Sequence, residues 1–311
     1  MVDLVEGFVL ECQARGLVEH TTETYESCCK DFIRRYPDPI AVRLEDLRAY
    51  LGELRTRGYQ GSTLKGYFAA IAAFYDFLVI ENKAASNPIP SFRKRYLRVK
   101  QQHGGENTRQ LISIEQMREL ISLSARKVLD KTMILFLAKT GLRRGELISM
   151  DISDLDLEKM EFRVKPKAKR SNRLGFMDAE LTAALKEYLD WREPRAKDQA
   201  LWINSSGIRV TRNYVYNMIV NYAKIAGLHD PHGAMNEKFT THCTRHFFTT
   251  WLRRGGMSRE FIQELRGDRR RDAIDIYDHI EVEELRRSYL KCIPYLNVGP
   301  GRPGTLEEWI K

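Results

Sequence analysis

His242-Cys243-Thr244-Arg245-His246 opens, and Ile276-Tyr277-Asp278-His279 closes, the stretch from which the rest of this 311-residue chain can be read. In a helix, His242 and Arg245 stand three apart and share a face. Arg245 offers a fixed fork of donors that suits a phosphate. The phenol of Tyr277 is a candidate nucleophile that needs activation, because an ordinary tyrosine titrates near about 10. Upstream stand Thr140-Gly141-Leu142-Arg143-Arg144-Gly145-Glu146-Leu147 and a basic hairpin around Lys167. Arginine, lysine, histidine, arginine and tyrosine, in that order, form a set able to cleave a phosphodiester.

Metal-free cleavage needs an in-line nucleophile, donors for the non-bridging oxygens, a base for the nucleophile's proton and an acid for the leaving oxygen. Arg143 and Arg245 are the expected phosphate clamp, since arginine stays charged and bonds phosphate bidentately. Arg144 competes for the first role on chemistry alone, and a salt bridge to Glu146 is the plain alternative for either. His242, titrating near working pH, is the expected base or donor at the phosphate. His242 and His246 also have i, i+4 metal-ligand spacing, but no third ligand or intervening Glu accompanies them, so no metal site is expected. His246 is expected to be a structural hydrogen-bonding partner.

These motifs resemble the tyrosine recombinases of the phage-integrase family, and within it the Xer-like members. The first box, Gly-x-Arg-x-x-Glu-Leu, is matched by Gly141, Arg143, Glu146 and Leu147. The second, His-x-Leu-Arg-His, is matched by His242, Arg245 and His246, with Thr244 in place of leucine. The third places a histidine nine residues before a tyrosine; Tyr277 is present, but the ninth residue back is Asp268. The resemblance covers roughly residues 1–290. It implies that Tyr277 forms a 3′-phosphotyrosyl link to DNA and that Glu146 is a positioning residue. It also implies that a hairpin lysine is the leaving-group acid, for which Lys167 is first choice and Lys165 and Lys169 are rivals. Pro166-Lys167-Ala168 stands where the family has Gly-Lys-Gly. No cofactor, ATP or metal is implied. Double-stranded DNA is the implied partner, gripped by a homo-oligomer, in synapsis a tetramer, that passes its C-terminal helix between subunits.

An ionised Asp268 cannot donate to the phosphate. Either burial and the phosphate raise its pKa and keep it protonated, or it pairs with Arg266, Arg269, Arg270 or Arg271 and faces away. The second is the expectation, because four arginines crowd it.

Composition agrees with a polyanionic partner. The chain has 51 Lys+Arg against 42 Asp+Glu, a net charge of +9. Five cysteines in no paired spacing suggest neither a disulfide framework nor a zinc site and fit a reducing cytoplasm, with the protein on the nucleoid. No signal peptide is read at the N-terminus, and the clean apolar run 133–138 is too short for a bilayer, so no membrane is expected.

The expected architecture is mainly α with a small β-sheet, a two-domain C-shaped DNA clamp. Residues 1–90 read as a helical, SAM-like core-binding domain, with helices over 2–15, from Thr21 or Thr22 to Pro37, over 44–57 and over 62–81. Aromatics at helical period on the last helix read as core. Residues 91–110 read as a basic linker on the DNA backbone, carrying Arg93, Lys94 and Arg95. Residues 111–290 read as the catalytic domain and 291–311 as a tail. A capping box at Ser113 and Gln116, caps at Asp178 and Ser258, and a glycine stop at Gly141 frame its helices. Lys65, Lys165, Lys169 and Arg170 join the expected DNA contacts. A type IB-like topoisomerase and a DNA-binding accessory protein that has lost cleavage share many of these features.

Overall fold

The computed structural model describes residues 4–59, 61–97, 110–165, 173–268 and 280–297. The chain forms two compact units, Met1–His103 and Gly104–Lys311. The first is helical: α1 (Leu4–Ala14), α2 (Glu19–Arg35), α3 (Leu44–Thr56), α4 (Gly61–Ile80) and α5 (Ile89–Tyr96). Helix α4 is the hub. It is long and apolar enough to span a bilayer by composition, but Leu64, Phe68, Ile71, Phe74 and Leu78 are buried in the unit's core with Phe8, Phe32, Tyr50 and Leu54. Its aromatics are core, as their helical period predicts.

Two expectations fail here. Helix α2 starts at Glu19 after Val18, which makes no side-chain cap, and Thr22 is buried inside it; the Glu19 carboxylate sits in the first turn, where the helix dipole favours an anion. The linker expected from residue 91 is, through Tyr96, a fifth helix of this unit. Ile89 and Phe92 are buried, and Phe92 stacks on Phe68 at 5.0 Å and packs on Tyr96 at 4.6 Å between centroids. Two apolar anchors outweigh the charge run around them.

In the second unit the helices are α6 (Ile114–Ser124), α7 (Val128–Thr140), α8 (Arg144–Ile148), α9 (Ala179–Arg192), α10 (Arg212–Ile225), α11 (Thr241–Arg254), α12 (Arg259–Arg266) and α13 (Val282–Cys292). A three-stranded antiparallel sheet, β1 (Leu155–Asp156), β2 (Glu161–Val164) and β3 (Arg173–Phe176), lies between α8 and α9 in the chain. Ser113, Asp178, Thr211 and Ser258 each accept from a backbone N–H in the first turn of the helix that follows. Helix α7 is buried along its length, packed by α6, α9 and α11. It ends at Gly141, whose φ of 61° is the left-handed conformation glycine tolerates, and a Cβ there would overlap the Phe248 ring. Strand pairing sets Val164 opposite Arg173, the last pair of the β2–β3 ladder; the basic turn that joins them, 166–172, lies outside the described residues.

A second apolar cluster joins Phe176 with Phe248 and Leu252 of α11, Ile262 and Leu265 of α12, and Leu285, Tyr289 and Cys292 of α13. The C-terminal helix α13, for which the resemblance implies exchange between subunits, here belongs to the core of its own chain. In this single chain α13 lays Leu285, Tyr289 and Cys292 against Phe248 and Leu252 of α11. The next residues are fastened too. Buried Lys139 bonds Asp178, Glu180 at 2.5 Å and the Pro294 carbonyl at 3.1 Å. Glu180 accepts from the Leu296 amide at 2.9 Å, and Leu296 is buried.

Candidate active site

Arg143 and Arg245 are brought together from residues about a hundred apart. Arg143 follows the Gly141 turn and is the residue before α8; its backbone N–H donates to Glu146 at 2.8 Å and its Nη1 to the same carboxylate at 3.1 Å. Arg245 lies one turn into α11 with its side chain only 8% exposed. Its Nη1 donates to the Gly141 carbonyl at 2.7 Å, which ties α11 to the turn that presents Arg143. The Arg266 carbonyl accepts from both, at 3.2 Å from Arg143 and 2.9 Å from Arg245.

Helix α12 closes the site. It ends at Gly267 in the left-handed conformation, φ 59°, with the Gly267 and Asp268 amides bonded back to Glu264 and Gln263. That turn aims Asp268 inward. One carboxylate oxygen accepts from Arg143 Nη2 and Arg245 Nη2, both at 2.9 Å, and the other lies 3.0 Å from Arg266 Nε, a charge contact without hydrogen-bond alignment. Asp268 therefore does pair with Arg266, but it faces the clamp rather than away from it. Burial, then like charge from Arg143 and Arg266, lowers Arg245 to about 9, with Asp268 and Glu146 opposing.

The charge beneath the clamp is set by a residue that sequence reading passed over. Arg173, the first residue of β3, has its side chain 4% exposed and holds Glu146 through two bonds of 3.2 and 3.0 Å. Its Nε also donates to the Leu265 carbonyl. Arg173 thus joins β3, Glu146 and the end of α12. Burial alone would raise the Glu146 pKa; the Arg173 hydrogen bonds and charge, with Arg143, override it and hold the carboxyl at about 2. In the sequence Arg173 is one of six basic hairpin residues, and only its register opposite Val164 marks it as inward-facing.

His242 is exposed in the first turn of α11, where the Thr240 hydroxyl caps the helix. His246 is half-buried, its Nδ1 3.4 Å from the Gln110 carbonyl, in keeping with a structural role. Among the described residues no cluster suited to a metal ion occurs. Lys165 is engaged elsewhere. It pairs with Asp151 and, at 3.2 Å, with Asp154, and the Asp151 hydrogen bond raises its pKa. Arg209 bonds the same Asp151 and the carbonyls of Ile148 and Met150, so the base of the hairpin is moored to the end of α8. A lysine whose proton is held by two carboxylates is a poor acid, which weakens Lys165 as a rival for that role. Lys167, Lys169, Arg170 and Tyr277 lie outside the described residues. In the helical unit, Lys94 and Arg95 are exposed on α5, and Lys65 and Arg93 are half-buried.

This helical fold and paired-arginine site define a class. Residues 110–284 match the phage integrase family, and residues 5–82 match the phage integrase N-terminal SAM-like domain. The chain belongs to the phage integrase family and is a tyrosine site-specific recombinase of Xer-like type. It is similar to the tyrosine recombinase XerC of Herpetosiphon aurantiacus, 28% identical over 284 residues, 86% of each chain. It also resembles the tyrosine recombinase XerD of Listeria monocytogenes, 24% identical over 310 residues, covering 94% of this chain and 99% of that one. Among solved structures, the fold matches a lambda integrase dimer bound to a COC′ core site with a TM-score of 0.69 at 17% identity, over 90% of this chain and 98% of that one. The XerH recombinase bound to palindromic difH matches with a TM-score of 0.65 at 21% identity, over 89% of this chain and 77% of that one.

Proposed function

We propose that this protein cuts and rejoins double-stranded DNA at a specific site through a 3′-phosphotyrosyl intermediate on Tyr277. The observation that carries the reading is the convergence of Arg143 and Arg245 on a single anionic oxygen. Two preorganised guanidiniums at 2.9 Å from one point are what a non-bridging phosphate oxygen needs as charge builds on it, and such donors contribute a few kcal/mol each, about 3. In the reaction the Tyr277 oxygen attacks phosphorus and its proton passes to a base, the role assigned to His242. The bond to the 5′-oxygen breaks as Lys167 supplies a proton. Bond energy is kept in the phosphotyrosine, so the reverse attack by a 5′-hydroxyl reseals DNA without an external energy source. Copies of the chain act together on DNA, as a tetramer when two sites are joined, in the cytoplasm.

One observation favours a second reading, a DNA-binding accessory protein without cleavage: a carboxylate sits where the phosphate belongs. Suicide duplexes of randomised sequence, nicked so that cleavage traps the protein, separate the readings. Recovery of one recurrent sequence in covalent adducts is the expected result. Binding without adducts from any sequence supports the accessory protein, and adducts without sequence preference, with plasmid relaxation, support a topoisomerase.

A further inference from the structure

Three guanidiniums meet one carboxylate at the centre of the site. Asp268 accepts from Arg143 and Arg245 and lies against Arg266 Nε, with distances of 2.9 to 3.0 Å. Convergent like charges repel strongly where water is scarce, and Arg245 is 8% exposed. A site built this way needs an anion at its centre. Carboxylate and phosphodiester both present paired oxygens to a guanidinium fork, and each carries a single negative charge. Exchanging one for the other leaves the charge of the site unchanged.

We propose that Asp268 is an internal stand-in for the scissile phosphate, which DNA must displace, and that Arg266 then serves as a third phosphate contact where relatives of the family pattern carry a histidine. This rests on the recombinase reading only for its occupant; the anion exchange itself belongs to the protein without DNA. Two features suit Asp268 to leave. Its side chain is 26% exposed, so a rotation carries it to water. Its backbone stays fixed by the Gly267 turn, which depends on Glu264 and Gln263 and not on the carboxylate. Two features suit Arg266 to remain. Its carbonyl is bonded by both clamp arginines, and its Nε already lies 3.0 Å from the second anion oxygen.

The exchange is measured on the full-length protein with inorganic phosphate as the probe. Asp268→Ala and Asp268→Asn remove the carboxylate that three cations share, leaving Glu146 beside Arg143 as the remaining counter-charge, so both variants should melt lower at low salt. Phosphate should restore them more than chloride at matched ionic strength, and they should bind it at least about tenfold more tightly than the parent. Adding Arg245→Ala to Asp268→Ala should abolish that gain, and adding Arg266→Ala should remove most of it. On trapped duplex, single-turnover cleavage at subsaturating DNA should rise in both Asp268 variants and fall in Arg266→Ala. Equal phosphate affinity in parent and Asp268 variants would overturn the proposal, as would loss of cleavage in both with DNA binding intact. If phosphate exchange occurs but no variant, nor the parent, ever forms a DNA adduct, the recombinase reading fails and the anion exchange stands.

Discussion

At the scale of single residues, Glu146 and Arg173 hold the site together from beneath. Glu146 has a folded pKa depressed to about 2, so its contribution is fully present above the ordinary glutamate value of about 4.3 and is lost as pH falls through about 2. The contribution is of order 3 kcal/mol. Unfolding of the parent should therefore show a steep loss of stability between those limits, and Glu146→Gln should flatten it while lowering stability near neutrality. An unchanged acid limb in Glu146→Gln would show that the ion pair is energetically silent. The hairpin lysines differ in a way that kinetics can read. Lys167→Ala should slow cleavage and be rescued by a 5′-thio leaving group, which departs without a proton. Lys165→Ala should instead loosen the hairpin base and gain nothing from the thio substrate. The boxes around Arg143 and Arg245 were legible because each is a local pattern with its own chemistry. The inward turn of Asp268 was not, since its partner Arg143 lies 125 residues away, and local arginines offered an equally good neighbour in sequence. Arg173 was hidden for a similar reason: charge alone does not separate a buried arginine from exposed ones in the same hairpin.

At the scale of elements, caps and stops were readable because they act over three or four residues. Ser113, Asp178, Ser258 and Gly141 all sit where local hydrogen bonding or φ requires them. Gly141→Ala should cost about 1–2 kcal/mol from the backbone alone, with more from the clash against Phe248, and should lower cleavage because Arg143 follows directly; thermal melting and single-turnover rates check both. Amphipathic stripes were less informative. That of α13 announces burial but not against which chain, and the structure places Leu285, Tyr289 and Cys292 against their own α11. Leu285→Ala should thus destabilise the isolated protomer by about 2–5 kcal/mol. Unchanged melting of the protomer, with loss confined to assembly on DNA, would support exchange of the helix between subunits. Helix α5 is hard to read from sequence because basic residues flank Phe92, whose burial against Phe68 and Tyr96 depends on residues of another helix as well as its own.

At the scale of the whole molecule, the two separate apolar cores predict that residues 1–97 and 110–297 each fold when expressed alone. The helical fragment should bind duplex DNA in a salt-dependent way. Lys94→Ala with Arg95→Ala should reduce the slope of log affinity against log salt by about 2 if both side chains neutralise phosphates; an unchanged slope would remove them from the interface.

On the proposed mechanism Tyr277 becomes covalently joined to DNA whose phosphate is held by Arg143 and Arg245, the pair that here surrounds an anion. Digestion and mass spectrometry of the adduct trapped on a suicide duplex test it most directly. The expected result is a 3′-nucleotide linked to the peptide that carries Tyr277, and no adduct from Tyr277→Phe although that variant binds DNA as the parent does. A linkage to any other residue, or an adduct that persists in Tyr277→Phe, would contradict it.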